Sequence, residues 1–270
     1  MGDVMQKYIF LDVDGTLLDS NTKQIPQSAI NAIHLAHNNG HKLYLCSGRT
    51  ILEMKPFMHL PLDGYICAAG GQIHQNNEMI FDYTFQHEDV VKLLQFCKNH
   101  DLHIKVETDH GSYLDDVTYD IFTRYFDFTE QQMDDYHFFH YKGIVNRVGK
   151  MSIFYENEDI VKELESTFPA YSFPKIPVKK EGMYYPAVEC SHKSINKGNA
   201  VRYVMNYNHI DMKQSIGIGD SLNDLELIKT CSLSIAMGNA IEEIKQLADD
   251  VTTSVDQDGI YNAFKKYNLI

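Results

Sequence analysis

The chain has 270 residues, 44% of them apolar and 23% charged, which suits two domains of ordinary size with a sizeable core. Its net charge of −13 sets it against polyanions, so no nucleic acid and no anionic membrane surface is expected as a partner. No apolar run approaches the ~18–20 residues of a membrane span, and the five cysteines, at 46, 67, 97, 190 and 231, form no CxxC pair, which favours reduced thiols.

The amino terminus, "MGDVMQK", enters a strand at "YIFLDV" without a basic-then-apolar leader, so a soluble, cytoplasmic protein is expected. "PQSAINAIHLAHNNG" places Ile30, Ile33 and Leu35 at near-helical spacing and stops at Gly40. "HKLYLCSG" and "GYICAAGG" read as a second and a third strand. From about Tyr83 to Val188 the pattern changes: aromatic residues crowd "YDIFTRYFDF" and "DDYHFFHY", and Ile104, Val106 and Tyr113 flank a hairpin turn at Asp109-His110-Gly111. "KMSIFYE" is a further strand and "EDIVKELEST" a helix. Past residue 189 the α/β alternation returns, with a helix at "NKGNAVRYVMNY", a strand at "SIGIGD", a helix at "LNDLELIKT", a strand at "LSIAMGN", a helix at "AIEEIKQLA" and a closing segment "VTTS". The fold class expected is α/β: a Rossmann-like parallel sheet with helices on both faces over 1–82 and 189–270, and an inserted α+β domain over 83–188.

In such a sheet the binding crevice lies beyond the carboxyl ends of the strands. Asp12 and Asp14 follow the first strand, Ser47 the second, and Asp220 follows "SIGIG", with Asp224 near the next helix start and Lys197 opening the helix after "SIN". In extended backbone residues i and i+2 share a face, so Asp12 and Asp14 can meet one site. Two carboxylates ~4 Å apart repel by about 4 kcal/mol at an effective dielectric of ~20. A third, from Asp220, calls for a cation or a proton, and an all-oxygen site suits Mg²⁺. Taken singly, Asp-x-Asp-Gly equally suits a turn, "GDSLND" a helix cap, and Lys197 a solvated side chain. Their joint occurrence, each at a strand end or helix start, is what points to a site.

Those segments resemble the haloacid dehalogenase-like (HAD) phosphohydrolases, in particular the Cof-type branch with a type IIB α/β cap. The family's DxDGT motif is matched by Asp12-Val13-Asp14-Gly15-Thr16, its second-strand Ser/Thr by Ser47 in "SGR", its Lys by Lys197 in "SINKG" and its GDxxND by residues 219–224. "AMGNA" at 236–240 and "DGI" at 258–260 also look like this branch. Where many relatives have Asn-Gly-Ala after the third strand, this chain has "CAAGGQI" at 67–73, and no role is assigned there.

The resemblance implies that Asp12 is the nucleophile of an aspartyl-phosphate mechanism and that Asp14, its pKa raised by its surroundings, is the acid and base. It further implies that Asp12, the Asp14 carbonyl and Asp220 bind Mg²⁺, with Asp224 ligating through water or supporting the ligands. Ser47, Lys197, Asn223 and the amides of Val13 and Gly48 would hold the phosphoryl oxygens, and Thr16 would orient the loop. The expected substrate is a small phosphorylated metabolite, sugar phosphates first, then FMN or pyridoxal phosphate. A phosphomutase would give an isomer in place of free phosphate, and a non-catalytic phosphate-binding regulator would give neither turnover nor metal dependence. The resemblance leaves the oligomeric state open.

Overall fold

The computed structural model describes residues 5–125, 127–143, 146–180 and 183–270. Phe126, within the aromatic run, lies outside the described residues. The chain divides into two units. One comprises residues 1–49, 54–82 and 195–270, the other residues 50–53 and 83–194.

The first unit opens with β1 (Tyr8–Leu11), whose four side chains are all buried. Helix α1 (Gln27–Asn38) follows, then β2 (Lys42–Cys46) and β3 (Gly64–Cys67). The buried stripe of α1 is Ala29, Ala32, Ile33 and Ala36, so the apolar spacing shifts from that expected: Leu35 is 46% exposed. Alanines at i, i+3 and i+7, beside Ile33 at i+4, form the inward face. Two strands absent from the sequence reading come next, β4 (Gln72–Gln75) and β5 (Glu78–Asp82), an antiparallel hairpin turned by Asn76 and Asn77 with φ +51° and +65°. Asparagine is among the few residues that favour this pair of left-handed positions.

The second unit contains α2 (His87–Asn99), β6 (His103–Glu107), β7 (Ser112–Leu114), α3 (Asp116–Asp120), α4 (Glu130–Asp135), β8 (Phe138–His140) and β9 (Lys150–Phe154). It continues with α5 (Asp159–Thr167), β10 (Tyr171–Ser172), β11 (Lys175–Lys180) and β12 (Met183–His192). The strands run β10-β12-β9-β6-β7-β8, with β11 on β12, and the hairpin expected around residues 109–111 joins β6 to β7. One sheet face buries Ile104, Val106, Met151, Ile153, Val188 and Cys190 beneath Val90, Leu93 and Cys97 of α2 and Val161 and Leu164 of α5. The other face carries ions: Lys150 Nζ lies 3.0 Å from Glu107 and 3.1 Å from Glu189, and Lys105 lies 2.5 Å from Glu107. The boundary expected at 188 falls inside β12, whose pairing with β9 and β10 continues to His192; a strand cannot leave its ladder midway without orphaning backbone groups, so this unit ends at Ser194.

The chain then supplies the first unit with α6 (Lys197–Tyr207), β13 (Ser215–Gly219), α7 (Leu225–Thr230), β14 (Leu233–Ala236), α8 (Glu242–Leu247), β15 (Asp250–Val251) and α9 (Gly259–Lys266). Only two residues before "TTS" complete the ladder at that edge. The sheet order is β15-β14-β13-β1-β2-β3-β4-β5, parallel from β15 to β3, with β4 antiparallel to both β3 and β5. Tyr8, Phe10, Tyr44 and Cys46 pack under Val201, Val204 and Met205 of α6 and Leu227 of α7. Residues of alternate parity, such as Ile9, Leu11, Leu43 and Leu45, are buried on the opposite face. The strand sequence departs in both directions from β1, toward β2–β3 and toward β13–β15. That makes the end of β1 a topological switch point, where an open α/β sheet leaves a crevice.

Candidate active site

Asp12 is the first residue past β1, and its backbone N–H still donates to Ile218 of β13 at 2.9 Å. The strand pairing thus fixes where the chain turns, and Asp12 is 3% exposed. Val13 turns the loop back: its carbonyl accepts from the amides of Thr16, Leu17 and Leu18. Gly15 has φ +92°, and a Cβ there would stand 2.4 Å from Oδ2 of Asp220, so only glycine lets the loop approach that carboxylate. Thr16 Oγ1 donates to Asp220 Oδ1 at 3.3 Å.

Lys197 is the first residue of α6, capped by Asn196, whose side chain accepts from the Asn199 amide. Gly70 makes this start possible, because a Cβ there would lie 2.5 Å from the Asn196 carbonyl. The departure from Asn-Gly-Ala at 67–73 therefore keeps the small residue the helix start requires. Lys197 is fully buried, its Nζ 2.5 Å from Asp12 Oδ1 and 2.6 Å from Asp224 Oδ1. The other oxygen of Asp224 accepts from the amides of Asp220 and Ser221, at 2.9 and 3.0 Å.

Asp12, Asp220 and Asp224 each bring one oxygen within 4.8 Å of the others. Three carboxylates against one ammonium leave two negative charges uncompensated. Burial, reinforced by the Asp224 charge, pushes the Asp12 carboxyl well above the usual carboxylate range and the Asp220 carboxyl up to about 6. Burial alone would lower Lys197, but Asp12 and Asp224 outweigh it and raise its pKa. A hard divalent cation fits this all-oxygen, negatively charged donor set. Asp224 already has both oxygens engaged by nitrogens, so it buttresses the cluster from behind.

The Asp14 carboxylate does not join Asp12: its side chain is about half exposed and stands outside the carboxylate cluster. Arg49 grips the carboxylate with two bonds, Nε to Oδ2 at 2.9 Å and an Nη to Oδ1 at 2.7 Å. Burial would raise its pKa, but the Arg49 bonds and charge prevail and lower it, opposite to the upward shift expected for an acid. Arg49 belongs to the quoted "SGR", yet nothing in the local spacing tells where its long side chain will land.

Ser47 lies past β2, 3% exposed, with its Oγ accepting from the Arg49 amide at 3.2 Å. A Cβ at Gly48 would have open space around it. Asn223 is exposed, its Oδ1 accepting from Ser221 Oγ at 2.7 Å. Thus Asp12, Thr16, Lys197, Asp220 and Asp224 form one hydrogen-bonded group, whereas Asp14 and Asn223 face outward. All five cysteines are free and buried, and burial raises the Cys46 thiol well above its ordinary value, leaving it no nucleophilic thiolate beside Ser47. Among the described residues no helix is long and apolar enough to cross a membrane.

The family model of haloacid dehalogenase-like hydrolases matches residues 9–264. The chain is 27% identical over 265 residues to a phosphoglycolate phosphatase of Methanobrevibacter smithii, covering 97% of this chain and 98% of that protein. It is 26% identical over 275 residues to the 5-amino-6-(5-phospho-D-ribitylamino)uracil phosphatase YcsE of Bacillus subtilis, covering 99% and 98%. Among solved structures, the HAD subclass IIB sugar phosphatase BT4131 superposes with a TM-score of 0.77 at 24% identity over 98% of this chain and all of that one. BT1666 of Bacteroides thetaiotaomicron, a phosphatase of the same superfamily, gives 0.82 at 22% identity over 98% and 96%. With the family match running from β1 into α9, the chain belongs to the haloacid dehalogenase-like hydrolases.

Proposed function

We propose that this hydrolase is a Mg²⁺-dependent phosphatase of small organic phosphate monoesters, sugar phosphates foremost, acting through an aspartyl-phosphate on Asp12. The observation that carries this reading is the Asp12 carboxylate, buried at the switch point and held by Lys197 among two further carboxylates. The relatives named phosphatases support the reaction class, and the sugar phosphatase of the same fold favours the substrate class. The free, buried thiols are in keeping with a reducing, cytoplasmic setting.

In this mechanism a carboxylate oxygen of Asp12 attacks phosphorus as the ester P–O bond breaks, and the departing alkoxide takes a proton from Asp14. Asp14 then takes a proton from water, which attacks the acyl phosphate; the P–O bond to Asp12 breaks and phosphate leaves. Lys197 steers Asp12 and offsets charge on the phosphoryl oxygens, with Ser47, Asn223 and the Val13 and Gly48 amides as further donors. Asp12, Asp220 and the Asp14 carbonyl would hold Mg²⁺, and Thr16 and Asp224 would fix Asp220. The cation, when bound, neutralises developing phosphoryl charge. A dianionic phosphoryl group beside Arg49 would draw the guanidinium off Asp14, letting that carboxyl regain the higher pKa an acid requires.

A panel of hexose phosphates, FMN, pyridoxal phosphate and p-nitrophenyl phosphate tests this reading. Phosphate release is expected with Mg²⁺, lost in EDTA, and lowered at least about 10⁴-fold by Asp12→Asn. Release that persists in EDTA, or in that variant, refutes it. An isomeric phosphate ester as product would make the protein a mutase.

A further inference from the structure

The turn at 237–241, running from "AMGNA" one residue on to Ile241, takes no part in the mechanism above, yet it grips both loops that carry the buried carboxylates. Met237 donates its amide to the Gly219 carbonyl at 3.0 Å, and Ile241 donates to the Asp220 carbonyl at 3.0 Å. Between them, Asn239 Nδ2 donates to the Gly15 carbonyl at 2.8 Å, while its Oδ1 accepts from the Val255 amide at 3.0 Å. Gly15 is the residue whose Cα faces the Asp220 carboxylate with no room for a side chain. One short segment thus ties the backbone of Asp220 and the backbone opposite its carboxylate. Gly238 keeps the segment seated: its amide donates to Thr253 at 3.1 Å, and a Cβ there would lie 2.5 Å from the Ser254 nitrogen.

We propose that Asn239 is a positioning residue for the cation, setting the separation of the Gly15 loop from Asp220 and so the spacing of the Asp12 and Asp220 oxygens. This inference rests on the reading of Asp12 and Asp220 as Mg²⁺ ligands. Magnesium demands near-ideal octahedral geometry, so a small drift between two loops 200 residues apart in sequence weakens its binding more than it weakens the fold. Asn239 is itself exposed, whereas its partners Gly15 and Val255 are buried residues, so Asn239→Ala unpairs two backbone groups and Asn239→Asp one.

The test is calorimetric titration of Mg²⁺ into the full chain without substrate, for wild type, Asn239→Ala and Asn239→Asp, with circular dichroism confirming the fold. Asn239→Asp keeps the acceptor for Val255 and loses the donor to Gly15; its added negative charge would on its own tighten cation binding. The expected result is a Kd weaker by roughly three- to tenfold in each variant that folds. A Kd within twofold of wild type, or tighter, in Asn239→Ala overturns the positioning role. Wild type that binds no Mg²⁺ would instead overturn the metal reading beneath it.

Discussion

Replacing Lys197 by Met keeps the volume of a fully buried stem and deletes the ammonium that bonds both Asp12 and Asp224. At 2.6 Å and an effective dielectric of ~20, each contact carries about 6 kcal/mol of attraction, much of it offset by the cost of drying the ammonium. Breaking a buried pair by removing one partner costs about 3–5 kcal/mol, because the other charge is stranded. For a protein of this size that is a fall in Tm of roughly 6–20 °C. The pH dependence has a definite sign. The Asp12 carboxyl is already raised by burial, and losing Lys197 raises it further, so the folded variant binds more protons than its unfolded chain. The deficit should therefore be largest near pH 8 and shrink toward pH 5. Thermal melts in EDTA, followed by circular dichroism across that range, measure it. A variant as stable as wild type at pH 8, or one whose deficit grows in acid, would refute the electrostatic account.

Three further outcomes are expected. Gly15→Ala puts a Cβ 2.4 Å from Asp220 Oδ2 at a φ of +92°, so it should cost about 1–3 kcal/mol in urea melts and abolish Mg²⁺ binding by calorimetry; tight binding would contradict the close approach. Arg49→Met frees Asp14 in the free enzyme from the charge that lowers its pKa, so the limb of the kcat/KM–pH profile that Asp14 sets should move to higher pH; unmoved limbs assign them to other groups. In the second unit, Lys105 and Lys150 overcome burial and hold the Glu107 carboxyl at about 2, against an ordinary value of 4.5. That gap corresponds to about 3 kcal/mol present above pH 4.5 and lost as the pH falls toward 2. Glu107→Gln should be less stable at pH 7 and lose that acid dependence in denaturant melts; a variant with the wild-type pH slope would place the dependence elsewhere.

What could be read from the sequence is what local periodicity encodes. β1 shows itself because four consecutive buried residues precede two aspartates, and α6 because Val201, Val204 and Met205 share a face behind Asn196. The β4–β5 hairpin stayed hidden because Gln72, His74, Gln75 and Glu78 lack the apolar alternation that announces a strand, its turn instead resting on the left-handed Asn76 and Asn77. Leu35 misled because in α1 the small alanines, not the large side chain, face inward. In the candidate site, the meeting of Asp12, Lys197, Asp220 and Asp224 was legible from their joint occurrence at strand ends and helix starts. The bonds Arg49–Asp14 and Asn239–Gly15 were not: each joins segments 35 or 224 residues apart, and only the register of the sheet decides which side chains meet.

The central strand has its two neighbours at very different distances along the chain: Tyr8 pairs with Lys42 on one side and with Ser215 on the other. During synthesis β1 and β2 must therefore wait, the free edge of β1 unpaired, until Ser215–Gly219 of β13 has emerged. The inserted unit closes its own ladders between residues 103 and 192 in the interval, shortening the flexible span that β13 must bridge. Until β13 docks, the apolar edge of β1 is a ready template for other nascent chains, so the ribosome-bound intermediate is where this protein is most exposed to aggregation.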